Sequence, residues 1–329
     1  MKTYAIENLG PSAEFTLLET PAPRATAGRV IVQVAATSVN PLDVKIRKGV
    51  LAAFSPPMPA VLHGDLAGTI TEIGECVTGF AVGDEVYGFV GGVKGSPGVL
   101  SDFAAVDARL LARKPSGLSM SEAAALPLVG ITAWEALIDR IDVQPGDHVL
   151  IHAGTGGVGH VAIQLAKLRG ARVATTVSTE AKAEIARGLG ADDIIFYKQE
   201  GVDAYVKRLS GGRGFDSVFD TVGGKTLDDS FSAARVAGKV ATISAYNNHS
   251  LAPAYLKGLT LHVVLMLIPV LYDQGREHHG EIMRRLATLV DQGALKPLLD
   301  PERFNFAQAG AAHAKLERGE AVGKIVLAR

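Results

Sequence analysis

Two rhythms of apolar residues divide the chain. Up to about residue 115 the apolar residues fall in short, β-branched, alternating runs. VIVQVAATSV, GTITEIGECV, DEVYGFV and DFAAVD are examples, parted by Gly and Pro. This pattern predicts strands, and no long helical period interrupts it, so the first third reads as a mostly β module. The rhythm changes at SMSEAAALPLVGITAWEAL, where Ala, Leu and Trp134 recur at helical spacing and Ser119 or Ser121 stands ready to cap the start. From residue 147 strands and helices alternate. DHVLIHA predicts a strand. GVGHVAIQLAKLRG predicts a helix with Val158, Val161, Ala162 and Leu165 on one stripe. RVATTVS predicts a strand, and TEAKAEIARGLG a helix ending at Gly190. DDIIFY, FDSVFD and KVATIS supply three more strands, with helical segments between them. Alternation of this kind predicts a parallel sheet covered on both faces. A helix over 280–293 follows, and GKIVLAR closes the chain as a strand too short to stand alone, so it is expected to return to the first module.

The expected fold class is therefore α/β, with a mostly β domain and a doubly wound parallel-sheet domain. The boundaries place the β domain at 1–118 and 268–329, discontinuous in sequence, and the parallel-sheet domain at 119–267. A chain of 329 residues is long enough for two cores. No internal repeat is visible.

Composition narrows the function classes. Lys plus Arg total 33 against 34 Asp plus Glu, a net charge of −1, which argues against a general nucleic-acid binder. The single cysteine, Cys76, excludes an internal disulfide and any zinc site built on two or more thiolates, and points to a reducing, cytoplasmic compartment. The N-terminus lacks the apolar stretch of a secretory signal. LTLHVVLMLIPVL is too short for a membrane span and contains His262 and Pro269, so it reads as a buried strand or an interface, and no membrane partner is expected.

The chemistry concentrates at HAGTGGVG. Gly154, Gly156 and Gly159 satisfy G-x-G-x-x-G, directly after a predicted strand and opening a predicted helix. Glycines let the backbone approach a pyrophosphate, and the helix start offers unpaired N–H groups and partial positive charge. The end of the next strand decides which dinucleotide. NAD sites usually place Asp or Glu there for the ribose 2′-hydroxyl. This chain has Ser178, Thr179 and, three residues later, Lys182, which suit a 2′-phosphate and so NADPH. Glu180 dissents, although in a first helical turn it also complements the macrodipole. Lys182 as a solvated lysine and Tyr197 as a strand-end core aromatic are the alternatives to coenzyme contacts.

On SVNPLDVKIRKG, HGDLAGTITEIGECVTGFAVGDEVYG, LPLVGITAWEAL, AGTGGVG and the terminal GKIVL, the chain resembles the medium-chain dehydrogenase/reductase superfamily. It looks most like the zinc-free quinone oxidoreductases and enone reductases, the zeta-crystallin-like branch. The resemblance spans essentially the whole chain. It implies a GroES-like domain, a Rossmann domain and an active site in the cleft between them. It also implies that Asn40 bonds near the nicotinamide ribose and that Thr132 lies beside the nicotinamide phosphate. Ala153, Gly154, Thr155, Gly156, Gly157, Val158 and Gly159 would hold the pyrophosphate. Ser178, Lys182 and Tyr197 would surround the 2′-phosphate, with Arg318 a further candidate, while Val222 and Ser244 would line the groove. Zinc relatives carry Cys where this chain has Asn40, and their Gly-His-Glu is here His63-Gly64-Asp65, so no metal is expected. His63 is then read as a structural histidine, and His278 and His279 as solvated helix residues.

Without a metal, hydrogen-bond donors must support the charge that grows on the substrate oxygen. Asn40 and Lys45 are the candidates, Lys45 being alternatively an exposed lysine of the KIRKG loop, while Asp43 is expected to fix that loop through backbone N–H groups. A quinone or α,β-unsaturated carbonyl, which delocalises that charge, is the expected small-molecule partner. The alternatives are a nucleotide-binding protein with little catalysis, or an alcohol dehydrogenase-like enzyme of the same superfamily. TLHVVLML, as a sheet edge, predicts a homodimer that continues the sheet across a two-fold axis.

Overall fold

In the computed structural model, which describes residues 1–329, the strand-rich first third builds a sheet around the longest strand, β3 (Arg29–Ser38). A hairpin of β1 (Lys2–Ala5) and β2 (Thr16–Glu19) precedes it. After β3 comes a short helix, α1 (Pro41–Arg47), then β4 (Asp65–Ile73), β5 (Glu85–Phe89), β6 (Phe103–Asp107), β7 (Ala112–Arg113) and α2 (Met120–Ala124). Strand β3 pairs antiparallel with both β4 and β6, and its apolar residues Val30, Ile31, Val32 and Val34 are buried. Helix α1 falls where the sequence reading has a loop. Seven residues are too few to display a helical period. Pro41 at the first position and the Asp43 carboxylate, which accepts the Asn40 N–H at 2.8 Å, start it locally.

Helix α3 (Pro127–Trp134), continued by a π-helical stretch over Glu135–Arg140, leads into the second unit. There β8 (His148–Ile151), α4 (Gly159–Leu168), β9 (Arg172–Val177), α5 (Glu180–Gly188), β10 (Asp193–Phe196), α6 (Val202–Ser210), β11 (Phe215–Asp220), α7 (Lys225–Ala233), β12 (Ala234–Thr242), α8 (Ala252–Lys257) and β13 (Thr260–Val263) follow. The six strands are parallel, in the order β10-β9-β8-β11-β12-β13. The order reverses between β8 and β11, and in open sheets ligands bind beyond the strand ends at such a point. All four residues of β8 are buried, as a strand covered on both faces requires. Leu150 of this strand packs with Ile195, Phe215, Val218, Phe231 and Val240 in one core cluster, each fully buried aliphatic or aromatic side chain contributing roughly 1.5–3 kcal/mol.

The chain then returns to the first unit through α9 (Ile268–Tyr272), α10 (Arg276–Asp291), β14 (Phe304–Asn305), α11 (Ala309–Glu317) and β15 (Val326–Ala328). Strand β15 pairs with β3, completing the order β14-β15-β3-β4-β5-β7. The two compact units are Met1–Leu128 with Leu267–Arg329, and Val129–Met266. The first crossing lies ten residues beyond the expected 118/119 boundary. The reason is α2, which buries Ala123 and Ala124 and packs on β3 and β4, capped by Ser119 through Glu122. Helix α10 spans 276–291 where 280–293 was expected, and α5 stops at Gly188. His279 is not solvated: α10 turns it into the core, while His278 stays exposed. No helix is long and apolar enough to cross a membrane.

Candidate active site

The glycine turn between β8 and α4 owes its shape to crowding. A Cβ on Gly159 would stand 2.1 Å from the Ala153 carbonyl oxygen, and one on Gly154 would stand 2.2 Å from Thr175 Oγ1. Ala153 itself is held in the left-handed region at φ 52°, a conformation disfavoured by its methyl group. Its N–H is fixed on Thr176 Oγ1 at 2.9 Å. Gly156 donates back to the Ala153 carbonyl, but no backbone bond of the protein uses the N–H groups of Gly157, Val158 and Gly159. These unspent donors sit at the positive end of α4, which makes the turn an anion cradle. Thr155 is buried beside it.

Ala153, Thr176, Tyr197 and Val222 line a cleft of about 860 Å³ in this unit, together with His152 and the starts of α6 and α7. Tyr197 is 55 % exposed and Val222 51 %. Asp220 shapes the cleft's far side. It is fully buried and accepts the N–H groups of Val222 and Gly223 and the Thr242 hydroxyl. Ser244 donates its N–H to Thr242 Oγ1 and packs against Gly223, where a Cβ would lie 2.5 Å from the Ser244 carbonyl. His152 is buried without a partner on Nε2, and burial pushes its pKa down to about 4, so the ring is neutral.

Ser178 and Lys182 do not border that cleft. They stand at the start of α5, where Thr179 caps the helix by accepting the Lys182 N–H at 3.3 Å. Both are half-buried. Glu180 faces away and takes a bond from Arg187 at 2.8 Å. Thr132 lies buried on α3. Arg318 pairs with Glu320 at the end of α11, in the other unit.

In the first unit, Asn40 stands in a buried network. Its Nδ2 donates to Asp65 Oδ2 at 2.8 Å, and its Oδ1 accepts the Lys324 ammonium at 2.5 Å. Asp65 also accepts the Ser38 hydroxyl at 2.5 Å and the Leu128 N–H at 2.7 Å, and Lys324 further donates to the Val39 carbonyl. Asn40, Asp65 and Lys324 are 1 %, 0 % and 3 % exposed. The Asn40 Oδ1 and one of its two Nδ2–H groups are thus bonded inside the protein, which fixes the amide's orientation. Burial pushes the Asp43 carboxyl up to about 7 and lowers Lys324, whose charge the Asp65 carboxylate sustains. Lys45 is half-buried on α1, not in a loop.

His63, in a left-handed conformation at φ 68°, stacks on His313 with Nε2 to Nε2 at 2.9 Å, and Phe15 packs edge-on against both rings. Burial lowers both histidines, His313 to about 3, so one neutral ring donates to the other. Sequence reading missed the Asp65–Lys324 pair and the His63–His313 pair. The available signal for the first was a charged residue set inside each of two strand-forming motifs, HGDLAG and GKIVL; His313 carried none.

The largely antiparallel first unit and the six-stranded parallel second unit are the two halves of an alcohol dehydrogenase-type dinucleotide enzyme. Residues 26–116 match the family profile described as alcohol dehydrogenase GroES-like domain, and residues 189–327 match that described as zinc-binding dehydrogenase. The chain is 32 % identical over 312 residues to the chloroplastic NADPH-dependent alkenal/one oxidoreductase of Arabidopsis thaliana, spanning 93 % of this chain and 73 % of that one. Among solved structures it superposes on an alcohol dehydrogenase superfamily protein from Novosphingobium aromaticivorans, with a TM-score of 0.95, 44 % identity and full coverage of both chains. It also superposes on Escherichia coli quinone oxidoreductase complexed with NADPH, with a TM-score of 0.88, 27 % identity and full coverage of both. The chain belongs to the medium-chain dehydrogenase/reductase superfamily, among its quinone and enone oxidoreductases.

Proposed function

We propose that this protein is an NADPH-dependent, zinc-independent reductase of quinones or α,β-unsaturated carbonyls. The observation that carries the reading is the pairing of three N–H groups without a backbone acceptor at Gly157–Gly159 with a second strand end that offers Ser178 and Lys182, its one nearby acid, Glu180, being bonded to Arg187. The name of the Arabidopsis relative and the coenzyme in the Escherichia coli structure support the same coenzyme. When bound, NADPH supplies the hydride. The protein's own residues bind and orient. Ala153 through Gly159 hold the pyrophosphate. Ser178, Lys182 and Tyr197 receive the 2′-phosphate. Val222 and Ser244 border the groove, and Thr132 serves the nicotinamide half. Asn40, with its Oδ1 and one Nδ2–H bonded to Lys324 and Asp65, acts as a positioning residue that keeps the chain between β3 and α1 rigid. Lys45 is the cation that polarises the acceptor's carbonyl oxygen.

Zinc independence is supported by how the donor atoms are used. His63 Nε2 bonds His313, and Asp65 Oδ2 is taken by Ser38, Asn40 and Lys324; the unpartnered His63 Nδ1 has no two further His, Cys, Asp or Glu groups placed to complete a metal site with it. A homodimer through the edge strand β13 fits its open side and the exposed Val263, and cytoplasmic residence fits a lone, unpaired Cys76. The test is steady-state oxidation of NADPH with a panel of small enals, enones and quinones, after chelator treatment. Turnover of at least one of these classes, unaltered by chelation, is the expected result. Binding without turnover of any of them would leave a nucleotide-binding protein.

A further inference from the structure

We propose that Arg187 is a specificity-determining positioning residue: it holds and neutralises the Glu180 carboxylate on the flank of α5 away from Lys182, so that a 2′-phosphate meets a cation and not an anion. This rests on the NADPH reading above and explains how that reading survives an acid at the start of α5. Glu180 is the first residue of the helix, two positions from both Ser178 and Lys182. A free carboxylate there lies within about a Debye length of a phosphate bound by either residue, and it would repel it.

The helix geometry separates the charges. At about 100° per residue, Glu180, Glu184 and Arg187 fall on one stripe, while Lys182 points roughly 200° away from Glu180. Ala183 and Ala186 turn into the core between the two flanks. Arg187 sits seven residues after Glu180, and helical side chains lean toward the N-terminus, so its guanidinium reaches back along the stripe. Nη1 donates to Glu180 Oε1 at 2.8 Å and also to Glu184. The same bonds raise the Arg187 pKa, so the cation persists at every working pH. Thr179 caps the helix through the Lys182 N–H, which fixes where the Lys182 stem leaves the backbone.

These side chains are exposed, so the ion pair is weak as a source of stability. Its effect belongs in coenzyme choice. The experiment measures dissociation constants for NADPH and NADH by fluorescence titration in wild type, Arg187→Gln, Glu180→Gln and the double variant. Arg187→Gln is expected to lower the NADPH preference about two- to fivefold, by weakening NADPH and not NADH, with the loss shrinking in high salt. In the Glu180→Gln background the Arg187→Gln change is expected to do nothing. An unchanged preference in Arg187→Gln, or an equal loss in both backgrounds, would overturn the assignment. Absence of NADPH preference in wild type would overturn the coenzyme reading beneath it.

Discussion

The glycine turn of the second unit and the Asn40 network of the first handle polar groups in opposite ways. At the turn, close packing around Gly154 and Gly159 fixes the backbone and leaves three N–H groups without a backbone acceptor. In the network, Ser38, Asn40, Asp65 and Lys324 satisfy one another almost completely, at 0–3 % exposure. Donors at a strand–helix turn that the protein leaves unbonded remain available to water or to a ligand. Spent ones contribute rigidity and nothing to a ligand directly. A polar residue in a family motif is therefore a binding group only where its bonds remain available, and by that measure Asn40 and the turn are different kinds of site.

The sharpest way to break the contrast is at Gly159. A Gly159→Val side chain meets the Ala153 carbonyl and pushes the turn open, so NADPH affinity should fall by about 100-fold or more, read by titration. Retention of affinity within threefold would mean that the turn does not hold the pyrophosphate. The network should fail through stability. Lys324→Met leaves Asp65 as an uncompensated buried charge, and urea unfolding should report a loss of about 3–5 kcal/mol. Adding Asp65→Asn should recover part of it, since the stranded charge is then gone.

Lys45 sharpens the comparison from the catalytic side. Lys45→Ala should lower enone turnover by about tenfold to 100-fold while leaving NADPH affinity unchanged. Equal loss of both, or of neither, would remove Lys45 from the reacting end. The smallest effect is in acid. His313, lowered to about 3, stays neutral in the folded state while the unfolded chain protonates near its ordinary value, so its contribution is full above about pH 6.5 and is lost as pH falls toward 3. Asp43, raised to about 7, acts oppositely, its contribution being lost as pH rises from about 4 through 7. In His313→Gln the fall of stability between pH 6 and 4 should be shallower, by up to about 1.4 kcal/mol per pH unit. An unaltered slope would place the acid sensitivity elsewhere.

The contrast also explains what the sequence made legible. The parallel sheet and the glycine turn are local: a change of apolar period and three glycines between a strand and a helix announce them. Helix α1 is too short to show a period and depends on Asn40 and Asp43 for its start. The Asp65–Lys324 pair joins residues 259 apart and the His63–His313 pair residues 250 apart, so neither has a local signature. Two adjacent histidines look alike in sequence, and only the packing of α10 tells the inward His279 from the outward His278.

The central claim is that the start of α5 is built for an additional phosphate. Titration of the protein with NADPH and with NADH under identical salt tests it most directly. Tighter binding of NADPH by about tenfold or more, reduced in Lys182→Ala, is the expected result. Equal affinity for the two, or a preference for NADH, would contradict it.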